Sequence, residues 1–166
     1  MMKIRYGNYS IYKKIEMQMI EDHYEYPRID GQKLFTLNYS SDENDQLEGF
    51  FKHNLSGDYF MGFLSSEIQN AFCVVTKAIY KGHEFKVWAF NSMTRNFTIY
   101  EEDCDIGEKY NFIKLSDRYI LDINLNDIEK LWEERMPTEY DMPMPKGLEL
   151  YKEIEIPNNN QVGVGG

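Results

Sequence analysis

The stretch VVTKAIYKGHEFKVWAF, residues 74–90, decides the fold of this chain. Its β-branched residues at 74–76 favour a strand, and Lys81-Gly82 provides a place for the chain to turn back on itself. The returning segment alternates in period two, with Phe85, Val87 and Ala89 on one face and Lys86, Trp88 and Phe90 on the other. We therefore expect a β-hairpin at the centre of a sheet, with aromatic side chains on its second strand.

Further strands are predicted on both sides of this hairpin from apolar alternation and turn residues. They cover residues 15–19, 35–39, 47–53, 58–64, 96–101, 110–115, 118–123 and 148–156. Strand runs joined by short turns leave no room for repeated βαβ crossovers. The fold class is therefore expected to be α+β, a mostly antiparallel β-sheet with one or two packed helices.

Two segments show helical spacing. Ser66 and Gln69 have the spacing of a capping box ahead of apolar residues, which predicts a short helix before the strand at 74. Asn126 and Glu129 form an N-cap and N3 pair, and the apolar residues of 126–135 recur at helical intervals. The second segment predicts the clearer helix.

The 166 residues fit a single domain of ordinary size, which we place at residues 1–157. Residues 158–166, which follow Pro157, hold too little apolar surface to pack and are expected to form a disordered tail. No secretory signal and no apolar run long enough to span a membrane is recognisable in the sequence. These patterns favour a cytoplasmic protein.

Charge limits the partners that this chain can bind. Acidic side chains number 28 against 18 basic ones, which gives a formal net charge of -10. Phosphate backbones and anionic membrane surfaces repel such a chain, so we expect no direct nucleic-acid ligand and no membrane partner. Opposite potentials steer and hold a cationic macromolecule, so a basic protein is the favoured partner.

Residues that would fix a reaction are not recognisable in the sequence. His23, His53 and His83 are dispersed, without neighbours at metal-ligand spacing. There is no nucleophile elbow and no phosphate-binding loop. We therefore assign no catalytic residue, metal, cofactor or small-molecule ligand, and we expect a protein that is not an enzyme. A small hydrolase that uses carboxylates or histidines remains the alternative.

Acidic side chains concentrate in three places, each with an aromatic residue nearby. Tyrosine supplies packed area in protein interfaces, and carboxylates pair with the Lys or Arg of a partner. The candidate partner-binding residues are therefore Asp42, Glu43 and Asp45 in one loop, Tyr100, Glu101, Glu102, Asp103 and Asp105 in a second, and Glu133, Glu134, Tyr140 and Asp141 at and after the late helix.

As a small, acidic chain of α+β type without catalytic motifs, the protein resembles the immunity proteins of bacterial polymorphic and contact-dependent toxin systems. The resemblance is one of overall profile and transfers no site residue. It implies a bacterial antitoxin that covers the active or substrate-binding surface of a basic toxin, often a nuclease. A regulatory adaptor without a toxin partner is a further alternative.

Overall fold

A computed structural model of the chain describes residues 2–22 and 31–157. Within them lie twelve strands and one α-helix, and the predicted, mostly antiparallel sheet is confirmed. The elements are β1 Gly7–Tyr12, β2 Ile15–Glu21, β3 Leu34–Tyr39, β4 Phe51–Lys52, β5 Tyr59–Leu64, β6 Phe72–Tyr80, β7 His83–Asn91, β8 Asn96–Glu101, α1 Cys104–Lys109, β9 Ile113–Leu115, β10 Arg118–Asn124, β11 Ile128–Met136 and β12 Tyr151–Glu153.

The chain divides into two compact units. Unit 1 takes its described residues from Met1–Tyr6, Val75–Glu134 and Leu150–Gly166, and unit 2 from Gly7–Val74 and Arg135–Glu149. The single α+β domain expected over residues 1–157 stays a prediction. The tail expected at residues 158–166 lies outside the described residues.

Unit 1 is built on the predicted hairpin. β6 and β7 pair from Lys77 to Lys86, and both turn residues, Lys81 and Gly82, have positive φ angles of 49° and 73°. Such angles match the twist of a tight hairpin. The sheet continues from β7 to β8, β10 and β9, and β11 pairs with β12. Its buried core includes Phe85, Val87, Phe97, Ile99, Ile123, Leu125 and Leu131.

Unit 2 is an antiparallel meander in the order β4-β5-β3-β2-β1. The predicted alternation is confirmed in β2 and β3, where Met17, Met19, Phe35 and Leu37 are each at most 3 % exposed. β1 lies where the sequence predicted no element, and it pairs with the first residues of β6, Gly7 opposite Val74.

Both helix predictions are wrong. At the first segment a 3-10 turn, Ser65–Glu67, is followed by β6 from Phe72, and β-branched side chains favour the strand. At the second, Leu125–Asp127 forms a 3-10 turn and β11 runs from Ile128 to Met136. Apolar residues three and four apart also fit a strand that is buried on both faces, and pairing with β12 decides between the two.

The α-helix of the described residues lies instead in a predicted acidic loop. Asp103 is the N-cap of α1, and its carboxylate accepts hydrogen bonds from the backbone N–H groups of Asp105 at 2.9 Å and Ile106 at 3.2 Å. Gly107 of α1 is buried against Tyr119 of β10. The helix therefore packs on the sheet of unit 1 just after β8 ends.

Candidate functional site

The acidic turn, Glu101, Glu102, Asp103, Cys104 and Asp105, connects β8 to α1. Glu101 accepts hydrogen bonds from the backbone N–H groups of Glu102 at 2.8 Å and Asp103 at 3.1 Å. Asp103 caps the helix, so two of the four carboxylates hold the backbone in shape. Glu102, Asp103 and Asp105 remain exposed. The turn therefore presents negative charge from a fixed backbone.

The outer face of the unit 1 sheet, defined by Lys86, Trp88, Tyr100, Arg118 and Ile120, adjoins the acidic turn through Tyr100. Ile120 pairs directly with Tyr100, and Tyr100 with Lys86, so these three side chains share one face. The rings of Trp88 and Tyr100 meet edge to face at 6.3 Å, and Trp88 is 37 % exposed. A partly exposed aromatic pair thus lies beside the carboxylates.

Two cations lie over this aromatic pair. The guanidinium carbon of Arg118 is 5.4 Å from the centroid of Trp88 and 5.2 Å from that of Tyr100, and the Lys86 ammonium is 5.7 Å from Tyr100. The electrostatic attraction between cation and ring stabilises this arrangement. A pocket of about 180 Å³ is lined by residues that include Lys86 and Tyr100 of this face and Glu101 and Glu102 of the turn.

Glu133 is not available to a partner, because it is buried in β11. Its side chain is 6 % exposed, and both carboxylate oxygens accept hydrogen bonds from the Arg5 guanidinium at 2.8 Å. A buried charge needs such a partner to offset its lost hydration. The predicted role of Glu133 as an interface residue after a helix is therefore replaced by a structural ion pair in a strand.

Glu134 also has an internal partner. The Lys77 ammonium is 2.9 Å from its carboxylate and 2.7 Å from that of Glu84. The hydrogen bond from Lys77 lowers the pKa of Glu134, together with a hydrogen bond from the Trp132 indole. Glu134 is thus a member of an ion-pair network in unit 1.

The remaining candidates lie in unit 2. Asp42, Glu43 and Asp45 are exposed in the loop after β3. The Tyr39 hydroxyl fixes that loop, because it donates to the carbonyl of Asp45 at 3.0 Å and accepts from the N–H of Leu47 at 2.8 Å. The three carboxylates thus belong to an ordered, solvated loop.

Tyr140 and Asp141 line a groove in unit 2 of about 510 Å³. The Tyr140 hydroxyl donates to the carboxylate of Glu21 at 3.0 Å. Burial and the hydrogen bond to Glu21 raise the pKa of Tyr140 to about 12. The phenol is therefore protonated at neutral pH, and its proton is already directed to Glu21.

The histidines do not form a site within the described chain. The Nδ1 atom of His53 accepts hydrogen bonds from the N–H groups of Leu55 and Ser56, and the His83 ring lies 4.6 Å from that of Phe85. His23 lies outside residues 2–22 and 31–157. Over those same ranges no group of three His, Cys, Asp or Glu side chains is arranged to hold a metal ion. None of the helices there is long and apolar enough to cross a membrane.

Comparison with known protein families gives a match. Residues 4–139 match a family described as "Uncharacterised conserved protein UCP033725". The chain belongs to this family. The matched residues of the chain begin just before β1 and end just after β11, so they include the acidic turn. No curated protein matches the chain, and no solved structure does.

Of the three predicted clusters, the second is the one whose residues lie together at a partly exposed surface in the structure: Tyr100, Glu101, Glu102, Asp103 and Asp105. The other residues of the unit 1 site were not predicted as site residues. The alternation along residues 85–90 already predicted that Lys86 and Trp88 lie on the face opposite the apolar one. A Trp on the outer face of a strand was therefore the signal in the sequence that could have indicated this site. Arg118 gave no such signal, because its place over the two rings depends on the pairing of β10 with β8.

Proposed function

We propose that this protein is an acidic binding protein that neutralises a cognate basic toxin by covering its active or substrate-binding surface. The observation that carries the proposal is the exposed acidic turn beside the partly exposed Trp88–Tyr100 pair. Trp, Tyr and Arg are the residue types most enriched in interface hot spots. Carboxylates at the rim of such a patch select a cationic partner.

Neutralisation would proceed in two physical steps. The formal charge of -10 steers a cationic domain toward the protein and can raise the association rate about ten- to a thousandfold at low salt. At close range, Glu102 and Asp105 pair with Lys or Arg of the toxin while Trp88 and Tyr100 exclude water from the contact. In a nuclease-type toxin these cations would otherwise hold phosphate, so occupying them blocks the substrate.

We also propose that the protein acts in the bacterial cytoplasm, where the nucleic-acid targets of such a toxin lie. A toxin that enters or is made in that compartment would meet its inhibitor there. The profile-level resemblance to immunity proteins supports this placement. A regulatory adaptor would share the surface but would bind a partner that has no toxic activity.

Recovery of the partner tests the proposal. The tagged protein is expressed in its organism of origin, and the protein that co-purifies is identified, produced separately and assayed for toxicity. We expect one basic protein that binds with 1:1 stoichiometry and loses its activity when bound. A partner without toxic activity would favour the adaptor, and a toxin that stays fully active in the complex would contradict neutralisation.

A hydrolase is the second candidate, because the unit 2 groove gathers titratable side chains. Glu139 and Asp141 are exposed at its edge, and Ser65, Ser66 and Lys33 also line it. The Tyr140 phenol is not a base at neutral pH, given its pKa of about 12. Turnover of ester, glycoside and phosphoester substrates that disappears in Glu139→Gln or Asp141→Asn would support this alternative over the binding protein.

A further inference from the structure

The groove of unit 2 already holds one cation. The Lys33 ammonium lies 3.0 Å from the carboxylate of Glu21 and 5.2 Å from the centroid of the Tyr140 ring. The Tyr140 hydroxyl bonds the other oxygen of Glu21 at 3.0 Å. Carboxylate and ring together therefore bind an ammonium group that the protein itself supplies.

The aromatic wall of the groove is held by the core. The Tyr140 ring meets Phe35 edge to face at a centroid distance of 4.9 Å, and Phe35 is fully buried. Met142 also lines the groove. A rigid ring with an apolar support gives the groove a wall of fixed direction, against which the aliphatic part of a long side chain packs.

Charge in and beside the groove is not balanced by Lys33. Among the described residues, three carboxylates, Glu21, Glu139 and Asp141, stand against the one ammonium group of Lys33. Glu139 and Asp141 are exposed, whereas Glu21 faces Lys33 and Tyr140. Two negative charges are left over, so the groove attracts a second cation even when Lys33 stays in place.

We propose that this groove binds an arginine side chain of a basic polypeptide. A guanidinium is planar, stacks on an aromatic face and pairs with carboxylates through two parallel hydrogen bonds. Asp141 and Glu139 receive the guanidinium, and the wall of Tyr140 and Met142 covers its alkyl stem. A groove of about 510 Å³ leaves room for this side chain and for the adjoining peptide backbone. The groove shares no residue with the acidic turn, so this proposal does not depend on the proposed toxin.

The test is a titration of the full chain with acetyl-Gly-Arg-Gly-amide, followed by backbone amide NMR at low salt. We expect saturable shifts at groove residues such as Ser66 and Met142. The same peptide with citrulline in place of arginine keeps the shape and loses the charge, and we expect at least tenfold weaker binding. Equal shifts with both peptides would overturn the proposal, and so would no shift with either.

Variants locate the binding. Glu139→Gln combined with Asp141→Asn should weaken the arginine peptide about tenfold, because two ion pairs are lost. Lys33→Met removes the competing ammonium and should tighten binding about threefold. Glu48→Gln combined with Glu149→Gln also removes two exposed carboxylates of unit 2, neither of which lines the groove, and should leave the affinity unchanged. Equal loss in this control and in the groove double variant would show that only net charge matters, which contradicts a site.

Discussion

Replacing Gly107 by alanine has two opposing effects on the stability of the protein, and the approximate size of each is known. Within a helix, Gly→Ala alone stabilises by about 1 kcal/mol, because alanine restricts the unfolded chain and favours helix. Gly107 is buried, however, and a Cβ placed there would lie 2.6 Å from Cγ of Tyr119 and 2.8 Å from its Cβ. Both distances are shorter than side-chain contacts tolerate, so α1 or β10 must move.

The cost of the close contact with Tyr119 is expected to exceed the stability gained from the higher helix propensity of alanine. Its atoms are at the base of the Tyr119 side chain, and β10 is held on both sides, with Tyr119 opposite Glu101 and Lys114. Overpacking of this kind costs about 3 kcal/mol at the upper end of the usual range. Subtracting the gain of about 1 kcal/mol leaves the variant less stable by about 2 kcal/mol.

Urea unfolding followed by tryptophan fluorescence measures this difference, because both tryptophans, Trp88 and Trp132, lie in unit 1. A loss of 2 kcal/mol also corresponds to a melting temperature lower by about 4–8 °C. Glu108→Ala, at the neighbouring exposed position of α1, is the control for helix propensity and should stay close to the wild-type protein. If Gly107→Ala is as stable as that control or more stable, the close packing of α1 on β10 is refuted.

Three further substitutions test the roles that the structure gives to predicted site residues. Glu133→Gln leaves the Arg5 guanidinium without its carboxylate and should lower the free energy of unfolding by about 3 kcal/mol; a change below 1 kcal/mol in urea unfolding would argue against a structural pair. Asp103→Ala removes the N-cap of α1 and should cost about 1 kcal/mol, measured in the same way, whereas an unchanged midpoint would contradict the capping role. The pKa of Glu134 is lowered in the folded state from 4.5, so its carboxylate stabilises the fold above that pH and loses this effect as the pH falls through and below it. The stability gap between wild type and Glu134→Gln should therefore be larger at pH 7 than at pH 3, and a gap that is constant over this range would contradict the ion pair with Lys77.

The sheet could be predicted because its signal is local. Apolar and polar residues alternate with period two in the 74–90 hairpin, in β2 and in β3. The residues Lys81-Gly82 indicate the turn of the hairpin directly. The helices could not be placed, since apolar residues three and four apart at 128–132 fit both a helix and a strand buried on two faces. Pairing with distant strands settled that choice, and a single sequence does not display such pairing.

Part of the candidate site was also readable. An acidic run beside Tyr100 predicted an exposed anionic surface, and Glu102 and Asp105 lie exposed there. The sequence could not separate those carboxylates from Glu133, whose partner, Arg5, is 128 residues away along the chain. It also could not show that Asp103 caps a helix, because the acidic residues around Cys104 read as a solvated loop.

The central claim is that the acidic turn itself, and not only net charge, binds the basic partner. The most direct measurement compares two double variants that change the net charge by the same amount. The first combines Glu102→Lys and Asp105→Lys, and the second combines Asp42→Lys and Glu43→Lys. Affinity for the recovered partner is measured by calorimetry at several salt concentrations. The account predicts that the first pair weakens binding by more than about a hundredfold and flattens its salt dependence, while the second has a much smaller effect. Equal losses from both pairs, or no loss from the first, would contradict it.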